Sequence, residues 1–186
     1  MSFLPRSFYA RDTVIVARDL LGKKIVRRLG NQKMSGIITE TEAYKYKDDP
    51  ASHASRRKTE RNKAMFEEVG RAYVYFTYGM YFCFNVVARN HKTEAGAVLI
   101  RAIHPETGVE IMKKNRQKND IKNLTNGPAK LAQAMNISKD QYGVDLTKNS
   151  DLFITEGISR KKIISGPRIG IRVGLENLWN FKIKVD

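Results

Sequence analysis

The stretch from Arg71 to Asn85 constrains the fold of this chain more than any other, because it combines strand-forming rings with a turn signal. It holds four of the chain's eight tyrosines together with three phenylalanines. Aromatic residues favour strands, and a glycine between two such runs favours a tight turn. Tyr78-Gly79 divides the stretch, so the sequence predicts an aromatic β-hairpin with strands over 72–77 and 80–87.

The rest of the chain predicts further strands and several helices. β-branched residues on both sides of Gly30-Asn31 indicate a second pair of strands, over 25–29 and 34–43. Asp12 or Thr13 can cap a helix that ends at Gly22, and Pro128 suits the first position of another. The predicted helices cover 13–21, 59–69, 108–116 and 128–135, and the remaining predicted strands cover 97–102, 152–155, 169–173 and 181–185.

Predicted strands outnumber predicted helices, and short connections separate most neighbours. Strands joined by short loops pair antiparallel, whereas parallel strands need long crossovers. The sequence therefore predicts an α+β fold, with a mixed, mainly antiparallel, curved β-sheet, packed helices and a protruding β-hairpin. The chain has 186 residues, 41% of them hydrophobic, and no stretch with the composition of a linker, so we expect one domain over residues 1–186.

The chain is strongly basic. Lys and Arg number 34 against 19 Asp and Glu, which gives a formal net charge of +15 and a pI near 10.0. Such an excess favours a polyanionic partner, whose binding releases counterions and weakens with salt. A ribosomal protein, a membrane-surface protein or a merely solubilising basic surface shows the same excess, so charge alone leaves these classes open.

Cysteine usage and hydropathy exclude other classes. The single cysteine, Cys83, excludes disulfides within the chain and zinc or iron–sulfur sites built from several cysteines. No run of about 20 apolar residues predicts a membrane span, and the first residues lack the apolar segment of a signal peptide. We therefore expect a cytoplasmic protein without a membrane partner.

A candidate reactive site lies in the segment from Thr39 to Tyr44. Side chains alternate along a strand, so Glu40, Glu42 and Tyr44 are expected on one face of the predicted strand. His53 follows shortly after them in the sequence. Acids, rings and an imidazole on a cationic chain suggest chemistry on a nucleic-acid base.

The acids suit the cleavage of an N-glycosidic bond. This reaction gives the sugar oxocarbenium character, which a carboxylate such as Glu42 can stabilise while it takes a proton from water. Glu40 lies two residues away, a spacing compatible with the carboxyl pair of inverting glycosidases, so a second acid stays open. The plainer alternative is a strand glutamate paired with one of the many cations. Arg101 lies in the otherwise apolar run 97–102, where a buried charge should be paired.

Several unusual strings occur in order along the chain. They include Glu40-Thr41-Glu42-Ala43-Tyr44, Asp49-Pro50-Ala51-Ser52-His53, Tyr78-Gly79-Met80, Val98-Leu99-Ile100-Arg101-Ala102 and Gly166-Pro167-Arg168-Ile169-Gly170. By these strings the chain resembles the 3-methyladenine, or alkyladenine, DNA glycosylase family over nearly its whole length. The resemblance implies excision of alkylated and deaminated purines, such as 3-methyladenine, 7-methylguanine and hypoxanthine, by a monofunctional enzyme without a metal ion or another cofactor.

The resemblance also implies roles for the candidate residues. Glu42 would be the general base that activates water, and Arg101 would hold that water and a phosphate beside the flipped nucleotide. Tyr44 and His53 would sandwich the extruded purine, with Tyr75 packed beside it. A cationic purine between such rings gains a cation–π attraction that a neutral base lacks.

Other matching positions concern selectivity and the contact with DNA. Asn85 matches a position at which the family rejects guanine through its exocyclic amine. Tyr78 matches the residue that enters the minor groove and fills the gap left by the flipped nucleotide, and Met80 and Tyr81 would widen this wedge. The candidate contacts to the DNA backbone are Thr59 and Arg61.

The implied partner is double-stranded DNA containing damaged purines, bound by a monomer. Many relatives carry Gly and Pro where this chain has Arg57 and Glu60, so the loop after His53 is expected to take a different path. Two other classes stay open on the residues alone. One is a non-catalytic basic nucleic-acid-binding protein, such as a ribosome-associated one, and the other is a formyltransferase-like domain.

Overall fold

One long strand organises the sheet of this protein. The computed structural model describes residues 2–159 and 162–185, and in it strand β2, Gln32–Lys45, runs for 14 residues. Over the described residues the other strands are β1 (Lys24–Leu29), β3 (Ala72–Thr77), β4 (Tyr81–Val87), β5 (Gly96–Thr107), β6 (Leu152–Thr155), β7 (Ile164–Gly166) and β8 (Asn180–Lys182).

The strands form one curled sheet. Its order is β3-β4-β5-β2-β1-β6, and β8 pairs with β2 and with β7. All pairings between the strands of the described residues are antiparallel. Register shifts between β2 and β5 on both sides of Glu40 mark an irregularity of the kind that bends a strand. The α+β prediction with a mainly antiparallel curved sheet is confirmed.

Most of the helices begin and end near the residues that the sequence indicates. They are α1 (Arg6–Tyr9), α2 (Thr13–Asp19), α3 (Val109–Arg116) and α4 (Pro128–Ala134), with 3₁₀ turns at Lys63–Phe66, Ile121–Asn123 and Lys139–Gln141. The carboxylate of Asp12 accepts the backbone N–H groups of Val14 and Ile15 and caps α2. The predicted helices over 13–21, 108–116 and 128–135 are confirmed to within a few residues.

The helices cover the core side of the sheet. α2 packs against β2 and β5, and α4 packs against β4 and β5. The hydroxyl of Thr41 donates to the carbonyl of Ala17 in α2 at 2.7 Å. Because side chains alternate along a strand, this contact turns Thr41 towards the helix and its neighbour Glu42 to the opposite side of the sheet.

The predicted aromatic hairpin is confirmed. β3 and β4 pair from Ala72 opposite Val86 to Thr77 opposite Tyr81, at one edge of the sheet. Tyr78 and Gly79 form the turn, both with positive φ, at 51° and 68°. The backbone N–H of Met80 donates to the carbonyl of Thr77 at 3.3 Å across this turn.

The predicted helix over 59–69 is wrong, since only Lys63–Phe66 forms a single 3₁₀ turn there. The buried side chain of Asn62 bonds the segment to itself instead. It accepts the N–H of Thr59 at 2.6 Å and donates to the carbonyls of His53 and Arg57 at 2.7 and 2.9 Å. A short amide side chain that binds nearby backbone groups competes with the helix, so the segment stays a loop.

The predicted strand over 169–173 is also wrong. Gly170 has a φ of 78°, and the backbone N–H of Ile169 donates to the Glu42 carboxylate at 2.7 Å. The backbone N–H of this segment is therefore hydrogen-bonded to a side chain rather than to a neighbouring strand. The short strand β7 lies upstream, at Ile164–Gly166, and the predicted strand over 181–185 is the shorter β8.

Candidate active site

A cavity of about 390 Å³ lies between the hairpin, the central strands and the loops after β2 and before β8. Its size falls within the roughly 300–1,000 Å³ of small-molecule sites. Aromatic rings form much of its wall, from Tyr44, His53, Tyr73 and Tyr75, and Arg101 supplies a charge. The cavity can therefore take a flat, polar aromatic group.

One row of paired residues crosses the sheet through this region. Tyr73 of β3 pairs with Asn85 of β4, Asn85 with Leu99 of β5, Leu99 with Glu42 of β2, and Glu42 with Asn180 of β8. Residues directly opposite one another on neighbouring strands project to the same side of a sheet. The register therefore places one residue from each of five strands in a single row on this side of the sheet.

Glu42 is held behind the cavity wall by hydrogen bonds to both carboxylate oxygens. Its side chain is fully buried. Oε1 accepts the Ile169 N–H at 2.7 Å and the Asn180 amide at 3.0 Å. Oε2 accepts the Tyr44 hydroxyl at 2.9 Å and Arg101 at 3.3 Å. Three of these donors, Tyr44, Arg101 and Ile169, line the cavity.

Arg101 lies between two carboxylates. Its Nε donates to Glu40 Oε1 at 3.1 Å, and its Nη1 donates to Glu42 Oε2. Glu40 Oε1 also accepts the Asn180 amide at 2.8 Å and lies 3.3 Å from Lys182 Nζ. The expectation that a charge in the run 97–102 is paired is met, and Glu40 and Glu42 do lie on the same side of β2.

Tyr44 presents its ring to the cavity and its hydroxyl to Glu42. Burial, together with the adjacent Glu42 carboxylate, raises the pKa of Tyr44, so the hydroxyl keeps its proton at neutral pH and donates it. The guanidinium of Arg168 lies 4.7 Å from the centre of the same ring. Arg168 and Asp49 form a fully buried ion pair, with two nitrogen–oxygen distances of 2.6 and 2.7 Å.

His53 is fixed from two sides while part of it stays exposed to the cavity. Its Nδ1 lies 2.9 Å from the Tyr73 hydroxyl, and its ring meets that of Tyr75 edge-on, with centres 4.7 Å apart. Desolvation by these neighbours, together with the charge of Arg61, lowers the pKa of His53 to about 4. The imidazole is therefore neutral at pH 7.

Asn85 lies in the wall of the cavity and is almost fully buried. Its Nδ2 donates to the Tyr73 carbonyl at 3.0 Å. That bond orients the amide, as expected for a buried polar side chain.

The hairpin tip exposes large apolar side chains to solvent. Tyr78 is 86% exposed, and Met80 and Tyr81 are 64% and 40% exposed. A tyrosine with positive φ costs of order 1 kcal/mol of strain, and such strain is retained mainly at functional positions. Tyr78 also lines the cavity mouth, whereas Met80 and Tyr81 lie outside the cavity wall.

The two candidate backbone contacts differ in position. Arg61 lines the cavity, donates to the Phe76 carbonyl at 3.3 Å and lies over the Tyr75 ring at 5.3 Å. Thr59 lies outside the cavity wall, on the loop around Asn62. Arg61 thus joins this loop to the base of the hairpin.

Within residues 2–159 and 162–185 no group of three or more His, Cys, Asp or Glu side chains is arranged to hold a metal ion. Over the same residues none of the helices has the length and apolar character needed to cross a bilayer.

Sequence reasoning missed Tyr73, Asn180 and the Asp49–Arg168 pair. Tyr73 carried a signal, because it belongs to the same aromatic run as Tyr75. Asp49 and Arg168 stand in the strings that support the resemblance, but their mutual contact joins positions 119 residues apart. No pattern in the sequence around Asn180 indicates that its side chain reaches this site.

Comparison with known proteins gives a consistent picture. The model of a family described as methylpurine-DNA glycosylase (MPG) matches residues 7–186. A protein of Carboxydothermus hydrogenoformans is 47% identical over 97% of this chain and 95% of its own length. Proteins of Clostridium acetobutylicum and Methanocella arvoryzae are each 44% identical over 97% of this chain, and over 94% and 92% of their own lengths. All three carry the name "Putative 3-methyladenine DNA glycosylase".

Proposed function

The chain belongs to the methylpurine-DNA glycosylase family, whose members are DNA-repair hydrolases, and from this premise we propose a specific activity for it. It flips an alkylated or deaminated purine, such as 3-methyladenine, 7-methylguanine or hypoxanthine, out of duplex DNA. It then hydrolyses the N-glycosidic bond and leaves an abasic site. The observation that carries the proposal is the buried Glu42 carboxylate, bonded to Arg101 and Tyr44 at the wall of an aromatic cavity.

The cavity suits a flipped purine. Tyr44, His53 and Tyr75 line it with aromatic rings, and base–aromatic stacking contributes roughly 1–3 kcal/mol per base. A methylated, cationic purine gains a further cation–π attraction to such rings. Because His53 is neutral at pH 7, its ring adds no positive charge that would repel a cationic base.

The chemistry follows from the charges around Glu42. Water attacks C1′ of the deoxyribose as the C1′–N bond breaks, and the carboxylate takes the water proton. The bonding electrons leave with the base, so a cationic purine departs neutral and needs no added proton. The negative charge of Glu42 also stabilises the oxocarbenium character of the sugar. Arg101, which contacts the carboxylate and lines the cavity, orients the water and a flanking phosphate.

Base extrusion requires a group that replaces the lost stacking. Unstacking a nucleotide costs a few kcal/mol, and an inserted side chain offsets part of that cost. Tyr78 projects from the hairpin tip beside the cavity mouth, with Met80 and Tyr81 next to it. The net charge of +15 supports binding to the DNA backbone.

Hydrolysis without a Schiff base fits the cavity lining. A lyase needs an amine that can attack C1′, and none of the described residues that line the cavity is a lysine. We therefore propose a monofunctional glycosylase.

The test is base release from methylated duplex DNA in the presence of a chelator. Wild-type protein, E42Q and the control E110Q, which changes an exposed helix residue, are compared under single-turnover conditions. We expect release of 3-methyladenine and 7-methylguanine by wild type and E110Q, and retained duplex binding without release by E42Q. Tight duplex binding without release by the wild type would contradict the proposal and favour a non-catalytic nucleic-acid-binding protein.

A further inference from the structure

The side chain of Asn180 lies between the two acids of β2. Asn180 is opposite Glu42 in the β2–β8 pairing, and it is 3% exposed. Its Nδ2 lies 2.8 Å from Glu40 Oε1 and 3.0 Å from Glu42 Oε1. An amide NH₂ has two protons, so one nitrogen can donate to both carboxylates at once.

We propose that Asn180 is a positioning residue that keeps Glu40 and Glu42 both ionised and separate, so that Glu42 can serve as the base. The inference rests on the proposed function, because it assigns a task to the neighbour of the proposed base. It also assigns Glu40 the task of an ionised counter-charge that orients Arg101, rather than that of a general acid.

The alternative to such a bridge is a shared proton. Two carboxylates that lie close together in a buried site tend to hold one proton between them, because like charges disfavour double ionisation. A proton held there would occupy Glu42, so that its carboxylate could not take the proton of the attacking water. Asn180 places a donor at both Oε1 atoms, which stabilises the charged form of each acid and leaves no need for a shared proton.

Glu40 is surrounded by donors in the same way. Its Oε1 faces Arg101 Nε, Asn180 Nδ2 and Lys182 Nζ, at distances between 2.8 and 3.3 Å. Three donors on one oxygen favour a carboxylate, whereas a general acid must carry a proton. Glu40 thus holds Arg101 through Nε, while Glu42 binds Nη1 of the same guanidinium.

Other charges and titratable groups also face Glu42. They are the Tyr44 hydroxyl on its own strand, Arg101 from β5 and the Cys83 thiol from β4, while Arg168, paired with Asp49, lies over the Tyr44 ring. All of these are unchanged by substitutions at position 180. The effect of such a substitution on the pH profile therefore reports on Asn180 and the two acids.

The test is the pH dependence of the single-turnover rate on duplex DNA containing 7-methylguanine, whose cationic base leaves without an acid. In N180D a third carboxylate adds negative charge beside Glu42, so proton binding is favoured. We expect the acidic limb of the profile to move to higher pH by about one to three units. N180A should move the limb the same way, by less, and lower the rate at pH 7 roughly tenfold or more through the loss of a charged hydrogen bond.

Rescue separates this role from a purely structural one. E40Q removes one of the like charges, so the double variant E40Q/N180D should return the limb towards the wild-type position. A packing defect at position 180 would not be repaired by a substitution at position 40. N149D, which adds the same charge on an exposed loop, is the control and should leave the profile unchanged.

The possible outcomes distinguish the two proposals. If E42Q is inactive and the limb is unmoved in a folded N180D or N180A, the inference about Asn180 is overturned while the proposed function stands. If wild type releases no base, both proposals are overturned. If wild type releases the base and E42Q does so equally fast, the glycosylase activity stands, and the roles of Glu42 as base and of Asn180 are overturned. If N180D does not fold, N180A and E40Q/N180A replace it: N180A must move the acidic limb to higher pH and the added E40Q must return it, or the inference is overturned.

Discussion

The hydroxyl of Tyr44 donates to Oε2 of Glu42 at 2.9 Å, although the ring of the same tyrosine forms part of the cavity wall. The two residues lie two positions apart on β2, on one side of the sheet. One side chain thereby serves both the proposed binding of the base and the alignment of the proposed catalytic carboxylate.

Substitution of Tyr44 by phenylalanine separates these two tasks. Y44F keeps the ring but removes a hydrogen bond to a carboxylate, which is worth about 1.5–3 kcal/mol. We expect the single-turnover rate to fall roughly tenfold or more, with duplex affinity unchanged. Y44A, which also removes the ring, should lose affinity for the lesion as well. A Y44F protein as fast as wild type would show that the hydroxyl does not act through Glu42.

Tyr78 is expected to lower the stability of the fold while it raises the rate of base excision. Asparagine tolerates positive φ better than tyrosine, so Y78N should leave the free energy of unfolding unchanged or raise it by up to about 1 kcal/mol. The same variant should lower the excision rate roughly tenfold or more, because extrusion then lacks a ring to replace the base. Urea denaturation and single-turnover assays measure the two effects. Y78F keeps the ring and should retain activity, and equal loss in Y78F and Y78N would argue against a wedge.

The buried Asp49–Arg168 pair should be a major determinant of stability. Both side chains are 0% exposed. D49A leaves an uncompensated buried guanidinium, so we expect a loss of about 3–5 kcal/mol in the free energy of unfolding. The double variant D49L/R168M removes both charges and should be closer to wild type, as measured by urea denaturation. If D49A were as stable as the double variant, the pair would contribute little.

His53 should make stability depend on pH in a defined window. Its pKa is lowered from 6.5 to about 4 in the folded protein, so between these values the unfolded chain binds a proton that the folded chain does not. The stability contributed by the neutral imidazole is complete above pH 6.5 and is lost as the pH falls towards 4. H53Q should flatten this part of the stability profile in urea melts at several pH values, whereas H91Q should not. If the stability of H53Q depended on pH as that of wild type does, the titrating group would be one other than His53.

Arg61 is expected to affect the salt dependence of duplex binding. If it contacts a phosphate, R61A reduces the slope of log affinity against log salt by about one. K118A removes the same charge from an exposed position away from the cavity and is expected to leave the slope close to that of wild type. Equal slopes in R61A and wild type would restrict Arg61 to its contacts with Phe76 and Tyr75.

Much of the fold could be predicted where structure is decided locally. The hairpin follows from rings on both sides of Tyr78-Gly79, and α2 starts where Asp12 can cap it. The predictions over 59–69 and 169–173 were wrong because the side chains of Asn62 and Glu42 accept the backbone N–H groups of Thr59 and Ile169 in those segments. A hydrogen bond from a side chain to the backbone does not alter the hydrophobic pattern, so that pattern could not predict it.

Periodicity, turn signals, short strings and composition need no long-range contact, and they were enough to predict the strand-rich fold class, the basic charge and the candidate residues carried by motifs. Long-range contacts, by contrast, bury Glu42 fully and place hydrogen-bond donors on both of its oxygens. They also bring Asn180, 138 positions away in the chain, between Glu42 and Glu40. The register of five strands brings these groups together, and register depends on how the whole sheet packs against its helices.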